Sequence, residues 1–539
     1  MTASIRRSGL AALAAALLAA ALVAVTGTAT AASGKTRAES KTFVKVVAGL
    51  PTSVDPTNYQ NRPSSDNLPT FTSPLVRGKG LPRGSKALPG SYAVDAFAAT
   101  SWSRNPDGSW TFKLREGVKS PAGNVMTADD VKWSYDRANA LDGVSRFLFS
   151  VANLDTKNLV TVIDANTARL NVTRPGPMTL GATLWYSLTI YDSVEAKKHA
   201  TATDPWAKEW MSTHSATFGP YYVDSFDPGQ SLALKKNPNF WNASKMYFDT
   251  VVIRAIPDSS TRLQLMLSGQ ADNTYYLDGS HFKAAVEDAG KHVDAYPDLD
   301  SSMDIMLLNE RFTPFHDVKV RNALNMAILR SGLVKTVYQG FGNPARYQFS
   351  SVLPQTTGFQ PVSYNPAKAK QLLAEAGQSN LAFTITTSPG ILSYAGDVAA
   401  YIQSQLAQVG VKVTLETIAS PSDFEAKRRA GQLQAWINSQ RPAIVDAMYF
   451  TYLVNGTKGI INSHQYSNPI VDKYINLMLG TSPGPRYNRD MKELLRIITD
   501  EKPTVPLVET KTQVVFAKGI KGYLTRATPI IYVDELSRG

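Results

Sequence analysis

The sequence contains no cysteine among its 539 residues. This absence excludes disulfide scaffolds, cysteine-ligated zinc and iron–sulfur sites, cysteine nucleophiles and a lipid anchor on an N-terminal cysteine. Histidine is scarce as well, and none of the six histidines lies three or four residues from another, as a helical metal pair requires. The motifs of α/β-hydrolases, zinc proteases and P-loop enzymes are also missing. We therefore expect no catalytic residue, no metal and no cofactor.

Positive side chains outnumber negative ones, but they do not form a concentrated basic patch in the sequence. The formal net charge is +12, yet the densest basic cluster, Lys427-Arg428-Arg429, lies beside acidic and polar residues, as on an ordinary solvated face. We expect no nucleic-acid binding. Beyond the N-terminal region, no stretch reaches the 18 apolar residues that indicate a membrane span.

The first 32 residues have the pattern of a cleaved signal peptide. Arg6 and Arg7 precede an apolar run from Leu10 to Val25, and small residues follow at Ala29–Ala32. The alternative is a membrane anchor, but the run is shorter than the roughly 20 residues that a span needs. The arginine pair leaves the export route, general or twin-arginine, open. We expect a monomer in the periplasm or secreted, without a lipid anchor.

Strands alternate with amphipathic helices from Thr42 onwards, which indicates a mixed α/β fold. The pattern predicts strands over Lys41–Gly49 and Trp110–Arg115. It also predicts a helix opened by Thr127, with Asp130 as the partner in a capping box.

Residues 250–277 are predicted to form a strand, the helix Ser259–Leu267 ended by Gly269, and a second, parallel strand. Ligands of open α/β sheets collect at the carboxyl ends of parallel strands. Tyr275 and Tyr276 are therefore candidates for a ligand cleft, and the alternative is an ordinary strand end. Trp185, next to Tyr186, is a further aromatic candidate for a cleft wall.

The second half carries its own set of elements, which predicts a second lobe. The predicted helices are Val318–Leu329, Asn365–Gly377, Gly396–Gly410 and Asn468–Leu479. The predicted strands Thr504–Val508 and Thr512–Phe516 then return to complete the first lobe.

Several motifs together resemble the family 5 extracellular solute-binding proteins of ABC importers, the peptide and nickel binding family. They are Trp110–Val118, Thr127–Val131, Thr217–Tyr221, Pro228–Gln230, Asn237–Trp241, Asn309 with Pro314–Leu324, Gln405–Val411, Asn462–Tyr466 and Asn468–Asp472. These motifs span almost the whole chain after the signal peptide, in the order of the family.

The resemblance implies an α/β fold of two lobes joined by a hinge, as in periplasmic binding proteins. The expected first lobe comprises 41–75, 190–290 and 505–539, with an extra subdomain at 76–189, and the expected second lobe comprises 300–504. The implied function is capture of a small solute, most simply an oligopeptide or peptide-like compound, for an ABC transporter permease. The alternatives are a non-peptide solute such as a sugar, an opine or a metal chelate, and a secreted hydrolase.

One segment departs from the family pattern. Peptide-binding members commonly carry an acid shortly after a cleft tryptophan, where it pairs with the free amine of the peptide, but here Trp436 is followed by Asn438, Ser439 and Arg441. Asp446 is a possible substitute, or the solute lacks a free amine. The alternative is that Trp436 is a core residue and Arg441 is solvated. The expected ligand-binding residues are Trp436, Asn438, Ser439, Arg441, Asp446, Tyr275, Tyr276, Trp185 and Tyr59.

Overall fold

Strands and helices alternate along the chain, which confirms the mixed α/β prediction. The computed structural model describes residues 41–57, 66–83, 85, 93–141, 143–353, 356, 358–526 and 530–539, so the predicted signal peptide and Tyr59 lie outside the described residues. The strands are β1 Thr42–Val47, β2 Val76–Gly78, β3 Val94–Ala96, β4 Ala99–Arg104, β5 Trp110–Leu114, β6 Val160–Asp164, β7 Thr167–Leu170, β8 Tyr221–Asp227, β9 Ser231–Lys236, β10 Thr250–Ala255, β11 Asn273–Tyr275, β12 Val293–Leu308, β13 Gly342–Pro344, β14 Ala382–Thr387, β15 Lys412–Thr417, β16 Ala435–Gln440, β17 Thr504–Ala517, β18 Ile520–Lys521 and β19 Ser537–Arg538. The helices are α1 Ala128–Ala140, α2 Val144–Val151, α3 Thr179–Ala182, α4 Ser193–Lys197, α5 Lys208–Met211, α6 Ser259–Leu267, α7 Gly279–Glu287, α8 Val318–Ala327, α9 Arg330–Thr336, α10 Pro366–Glu375, α11 Ala395–Ala407, α12 Pro421–Arg429, α13 Ala447–Asn455, α14 Pro469–Leu479 and α15 Pro485–Glu501.

One large sheet runs through the molecule in the strand order β15-β14-β16-β12-β17-β11-β1-β10-β9-β8, and β13 pairs with β17 beside it. Strand β1 lies between β10 and β11 and is parallel to both. This confirms that the strand–helix–strand unit of residues 250–277 is parallel. We call the half with β8–β11 and β1 the first lobe, and the half with β14–β16 the second lobe.

Two long antiparallel strands, β12 and β17, connect these halves. Near one end they pair at Val293 with Ala517, beside β11, and near the other end at Leu307 with Thr504, beside β16. The register shifts between Leu299 and Met303, where the pairing passes from one lobe to the other. A local register shift bends a strand and increases its twist without ending the ladder, which suits a hinge. The lobe boundaries 299/300 and 504/505 stay a prediction.

A separate four-stranded sheet, in the order β4-β5-β7-β6, lies within the range predicted for the extra subdomain. Helix α1 covers it and begins as predicted, with the Asp130 carboxylate accepting a hydrogen bond from the Thr127 amide at 2.8 Å. Val131, Tyr135 and Ala138 lie on one face of the helix and are buried. The spacing of apolar residues at helical period therefore directs this face inwards.

Local signals set several helix ends elsewhere. Helix α14 starts at Pro469 because the Asn468 side chain accepts hydrogen bonds from two amides of the first turn. Helix α10 is capped in the same way by Asn365, which accepts from the amide of Lys368 at 2.9 Å. No helix within the described ranges is long and apolar enough to cross a membrane.

Candidate functional site

Two tyrosines stand at the carboxyl end of the parallel strands of the first lobe. Tyr275 ends β11, and Tyr276 follows in the left-handed conformation, at φ +55°. Hydrogen bonds hold this unfavourable backbone in place: the Tyr276 amide donates to the Gln513 carbonyl at 3.2 Å, and its carbonyl accepts from Arg262 at 3.0 Å. The two rings meet edge to face, 4.6 Å apart. The sharp turn thus fixes both phenols at the strand end.

Arg441 reaches these tyrosines from the second lobe, where it follows β16. Its guanidinium donates to the Ser302 hydroxyl at 2.5 Å and to the Tyr276 hydroxyl, and it lies 3.7 Å from the Asp66 carboxylate. The Tyr276 hydroxyl in turn donates to Asp66 at 3.1 Å. We call Arg441, Tyr276, Asp66 and Ser302 the interlobe network. The side chains of Arg441 and Asp66 are only 11% and 10% exposed, so this ion pair is largely shielded from water.

Lys45 lies beside the network, in the middle of β1. Its side chain is buried, and its ammonium lies 4.5 Å from the centre of the Tyr275 ring. Burial lowers the pKa of Lys45 to about 7, although the negative charge of Asp66 acts in the opposite direction. The Tyr275 hydroxyl donates to the Asn67 side chain at 3.2 Å. The first-lobe wall therefore combines an aromatic surface with a buried amine.

Asp304 forms the buried acid of the second-lobe wall. It pairs with Ser439 across β12 and β16, and its carboxylate accepts hydrogen bonds from Tyr338 at 2.6 Å and Tyr394 at 2.9 Å. Burial raises the pKa of Asp304, while these hydrogen bonds and the charge of Arg441 oppose the rise. Asp304 thus places a buried acid within the electrostatic reach of Arg441.

The structure brings three of the expected residues together, namely Tyr275, Tyr276 and Arg441. Asn438 and Ser439 lie on β16 just before Arg441, half-buried and exposed respectively. Trp185 is half-buried and stacks on Tyr186 with the ring centres 4.8 Å apart. Their contact with a solute stays a prediction.

Trp436 and Asp446 differ from the expectation that they face the cleft. Trp436 is 1% exposed and packs in the apolar core, so the core alternative describes its position. Asp446 is buried and is the N-cap of α13, accepting from the Met448 amide at 2.8 Å and the Tyr487 hydroxyl at 2.9 Å. Both bonds go to Oδ1 of the carboxylate, so the structure places Asp446 in a helix cap within the core.

Three residues near the site, Lys45, Asp66 and Asp304, are not among the residues expected from the sequence. Lys45 and Asp304 carry a recognisable signal, because each interrupts an apolar strand segment with a charge, and a buried charge needs a reason. Asp66 lies in a loop and carries no such signal. Within the described part of the chain, no group of three or more His, Asp or Glu side chains is arranged to hold a metal ion.

Two further contacts link the range 76–189, predicted as the extra subdomain, to the range 300–504, predicted as the second lobe. Phe147 of α2 stacks on Tyr452 of α13 with ring centres 6.0 Å apart. The Asn153 side chain donates to the Leu479 carbonyl at the end of α14, at 2.5 Å. Both contacts therefore cross between the range predicted as the extra subdomain and the range predicted as the second lobe.

The chain resembles known proteins in sequence. A family model described as bacterial extracellular solute-binding proteins, family 5 Middle, matches residues 94–462. The glutathione-binding protein GsiB of Shigella boydii is 27% identical over 445 residues, which cover 79% of this chain and 82% of GsiB.

Solved structures share the fold. The ABC transporter-associated periplasmic binding protein DppA of Helicobacter pylori, in complex with the peptide STSA, has a TM-score of 0.77 at 22% identity, covering 92% of this chain and 98% of DppA. The murein tripeptide binding protein MppA of Escherichia coli has a TM-score of 0.75 at 20% identity, covering 93% and 99%. These likenesses confirm the predicted two-lobed fold of a periplasmic binding protein.

Proposed function

Because the chain belongs to family 5 of the bacterial extracellular solute-binding proteins, we propose that it captures a peptide or peptide-like solute between its lobes for the permease of an ABC importer. The interlobe network carries this proposal, since Arg441 of one lobe bonds to Tyr276 of the other at the strand ends where α/β sheets bind ligands. The relatives support the solute class: their names and complexes give glutathione, the peptide STSA and a murein tripeptide.

If the lobes close around a solute, the side chains at their interface contact each other without solute and contact the solute when it is bound. In the structure Arg441 contacts Tyr276 and Asp66 directly. A solute entering the open cleft would replace part of these contacts with its own polar groups, while Tyr275 and Tyr276 supply aromatic surface for apolar side chains. Each lobe keeps its packed core during such a rotation. We propose that Asn438 and Ser439, next to Arg441, complete the second-lobe side.

The test is calorimetry with the peptide Ser-Thr-Ser-Ala, glutathione and, as a non-peptide, maltose. We expect binding of at least one of the two peptides and none of maltose. Arg441→Gln should weaken peptide binding about tenfold or more, because glutamine has two N–H donors and no charge where the guanidinium has five donors and a positive charge. Arg429→Gln is the matched control, since the Arg429 side chain is 77% exposed on α12. Binding of maltose alone would overturn the peptide proposal and favour the sugar alternative.

We further propose that the protein works as a monomer outside the cytoplasmic membrane, after removal of residues 1–32. The family supports an extracellular location, and the leader pattern supports cleavage. Intact-mass measurement of the exported protein should give a chain that starts near Ala32 or Ser33. A mass that retains the leader would contradict cleavage.

A further inference from the structure

We propose that Asn153 and Arg174, in the range predicted as the extra subdomain, latch onto the C-terminal end of α14, and that this latch sets how long a captured solute stays bound. This inference rests on the proposed solute-binding function and adds to it the residues that control release. We call the Asn153 and Arg174 side chains, with the Asn476 and Leu479 carbonyls that accept from them, the latch. None of its residues belongs to the interlobe network.

Asn153 is positioned by its own part of the chain. It follows α2 in the left-handed conformation, at φ +55°, and the Leu154 amide donates to the Phe149 carbonyl at 2.9 Å, which closes a Schellman turn. Glycine is the usual residue at this left-handed position, so the turn itself does not need the asparagine side chain. That side chain leaves the turn and donates to the Leu479 carbonyl at 2.5 Å.

Arg174 bridges the ends of two helices. Its Nε donates to the Asn153 side-chain oxygen at 3.1 Å, and one terminal nitrogen donates to the Asn476 carbonyl at 3.4 Å. The C-terminal ends of α2 and α14 therefore meet at this point. Each end carries a partial negative charge, so the two ends repel, and the guanidinium charge offsets the repulsion. Arg174 thus favours the approach of α2 to α14.

The end of α14 divides its hydrogen bonds between two parts of the chain. The last carbonyls of a helix have no partner within the helix itself. Those of Leu477 and Met478 accept from the following amides of Gly480 and Thr481, both at 3.1 Å. The carbonyls of Asn476 and Leu479 accept from the latch instead. Because water can replace these two donors, α14 stays intact when the latch opens, and the contact is reversible.

Gly176 provides the room that the latch needs. A Cβ atom at this position would lie 2.4 Å from the Asn153 amide nitrogen and 2.8 Å from the Leu479 carbonyl oxygen. Atoms in a packed structure do not approach so closely, so any larger residue would push the two partners apart. On the α14 side, a Cβ atom at Gly480 would lie 3.3 Å from a terminal nitrogen of Arg174. Glycine therefore stands where the two parts of the chain come closest.

Stopped-flow measurements of tryptophan fluorescence with Ser-Thr-Ser-Ala give the rates of association and release separately. Asn153→Gly, Arg174→Gln and Gly176→Ala should each speed release about two- to tenfold, because the latch has to open before the solute leaves. Association should stay within about twofold, because the solute enters before the latch forms. The matched controls are Arg429→Gln, at a 77% exposed side chain, and Gly396→Ala, where a Cβ atom meets nothing within 4 Å. Both controls should keep both rates.

The outcomes separate the latch from the proposed function. Unchanged release in Asn153→Gly and Gly176→Ala overturns the latch and leaves the peptide receptor intact. If the unmodified protein binds neither Ser-Thr-Ser-Ala nor glutathione, the proposed peptide function fails, and small-angle scattering without solute decides on the latch. A larger radius for Gly176→Ala than for Gly396→Ala then supports it, and an equal radius overturns it. Circular dichroism checks folding, and Asn153→Gly decides if Gly176→Ala does not fold, because glycine fits the left-handed turn.

Discussion

Replacing Lys45 by Met should stabilise the unliganded protein. Methionine has a similar length and no charge, so it keeps the packing of the lysine stem in β1 while removing an ammonium whose charge is disfavoured by burial. The substitution should therefore strengthen the fold. A residue whose only role is structural would behave in the opposite way.

The magnitude follows from the lowered pKa. Burial moves the pKa of Lys45 from 10.5 to about 7, and each tenfold change in proton affinity is worth about 1.36 kcal/mol. The charged form therefore costs the fold about 5 kcal/mol. Between pH 10.5 and 7 the unfolded chain holds a proton that the folded chain has released, so the free energy of unfolding rises with pH in this window. The cost is absent above pH 10.5 and complete below pH 7.

Urea unfolding, followed by circular dichroism at pH 6.5, 8 and 9.5, measures this effect. We expect Lys45→Met to gain about 2–5 kcal/mol at pH 6.5 and progressively less as the pH rises. Lys412→Met should stay within about 0.5 kcal/mol of the unmodified protein at each pH. The reasoning is refuted if Lys45→Met is less stable at pH 6.5, or if its gain does not change with pH.

Trp436→Ala should lower the free energy of unfolding by about 3–5 kcal/mol in a urea titration, as for a core tryptophan. Trp241→Ala, at a residue that is 39% exposed, should lower it clearly less. Equal losses would contradict the core position of Trp436. His464 is fully buried, and burial lowers its pKa to about 3, so the protein should lose stability as the pH falls from 6.5 towards 3. His464→Asn should lose less over that range in an acid titration, and parallel curves would count against the argument. Phe147→Ala removes a ring contact between the lobes, so small-angle scattering should show a larger radius without solute and a return on adding saturating Ser-Thr-Ser-Ala; an unchanged radius in both conditions would exclude the hinge motion.

Helix ends are predictable from the sequence where the residues that cap the helix lie next to it in the chain. Helix α6 has the predicted bounds, Ser259–Leu267, because the Asp258 side chain caps its first turn and Gly269 follows its end at φ +72°. The predicted helix Val318–Leu329 instead ends at Ala327, and α9 begins at Arg330. The buried Arg330 side chain donates to the Pro506 carbonyl at 2.6 Å, a contact made across the fold that no local pattern contains.

The last two predicted strands form one continuous strand, β17. The predicted strands stop at Val508 and resume at Thr512, but β17 continues through this gap, where Glu509 pairs with Met303 and Lys511 with Leu299 across a register shift of β12. The gap between the two predicted strands thus coincides with the irregular part of the pairing between β12 and β17. The alternation of apolar and polar residues along a strand does not show where that strand passes from one lobe to the other.

The candidate site was predictable only in parts. Tyr275 and Tyr276 follow from the rule on strand ends, and Arg441 follows from the departure from the family pattern. Their meeting does not, because Tyr276 and Arg441 are 165 positions apart in the chain. Trp436 shows the opposite problem, since an aromatic residue on a strand has the same sequence pattern in a core as in a cleft.

The connectivity of the large sheet has a consequence for the order of folding during synthesis. The first lobe takes β1 from the beginning of the chain and half of β17 from its end, and Arg538, the penultimate residue, pairs with Asp272 beside β1. The strands β14, β15 and β16 of the second lobe lie within a single stretch of the chain. Domains form as the chain emerges from its N-terminus. The first lobe therefore begins first, with β1, but it is completed last, because its sheet also needs β17.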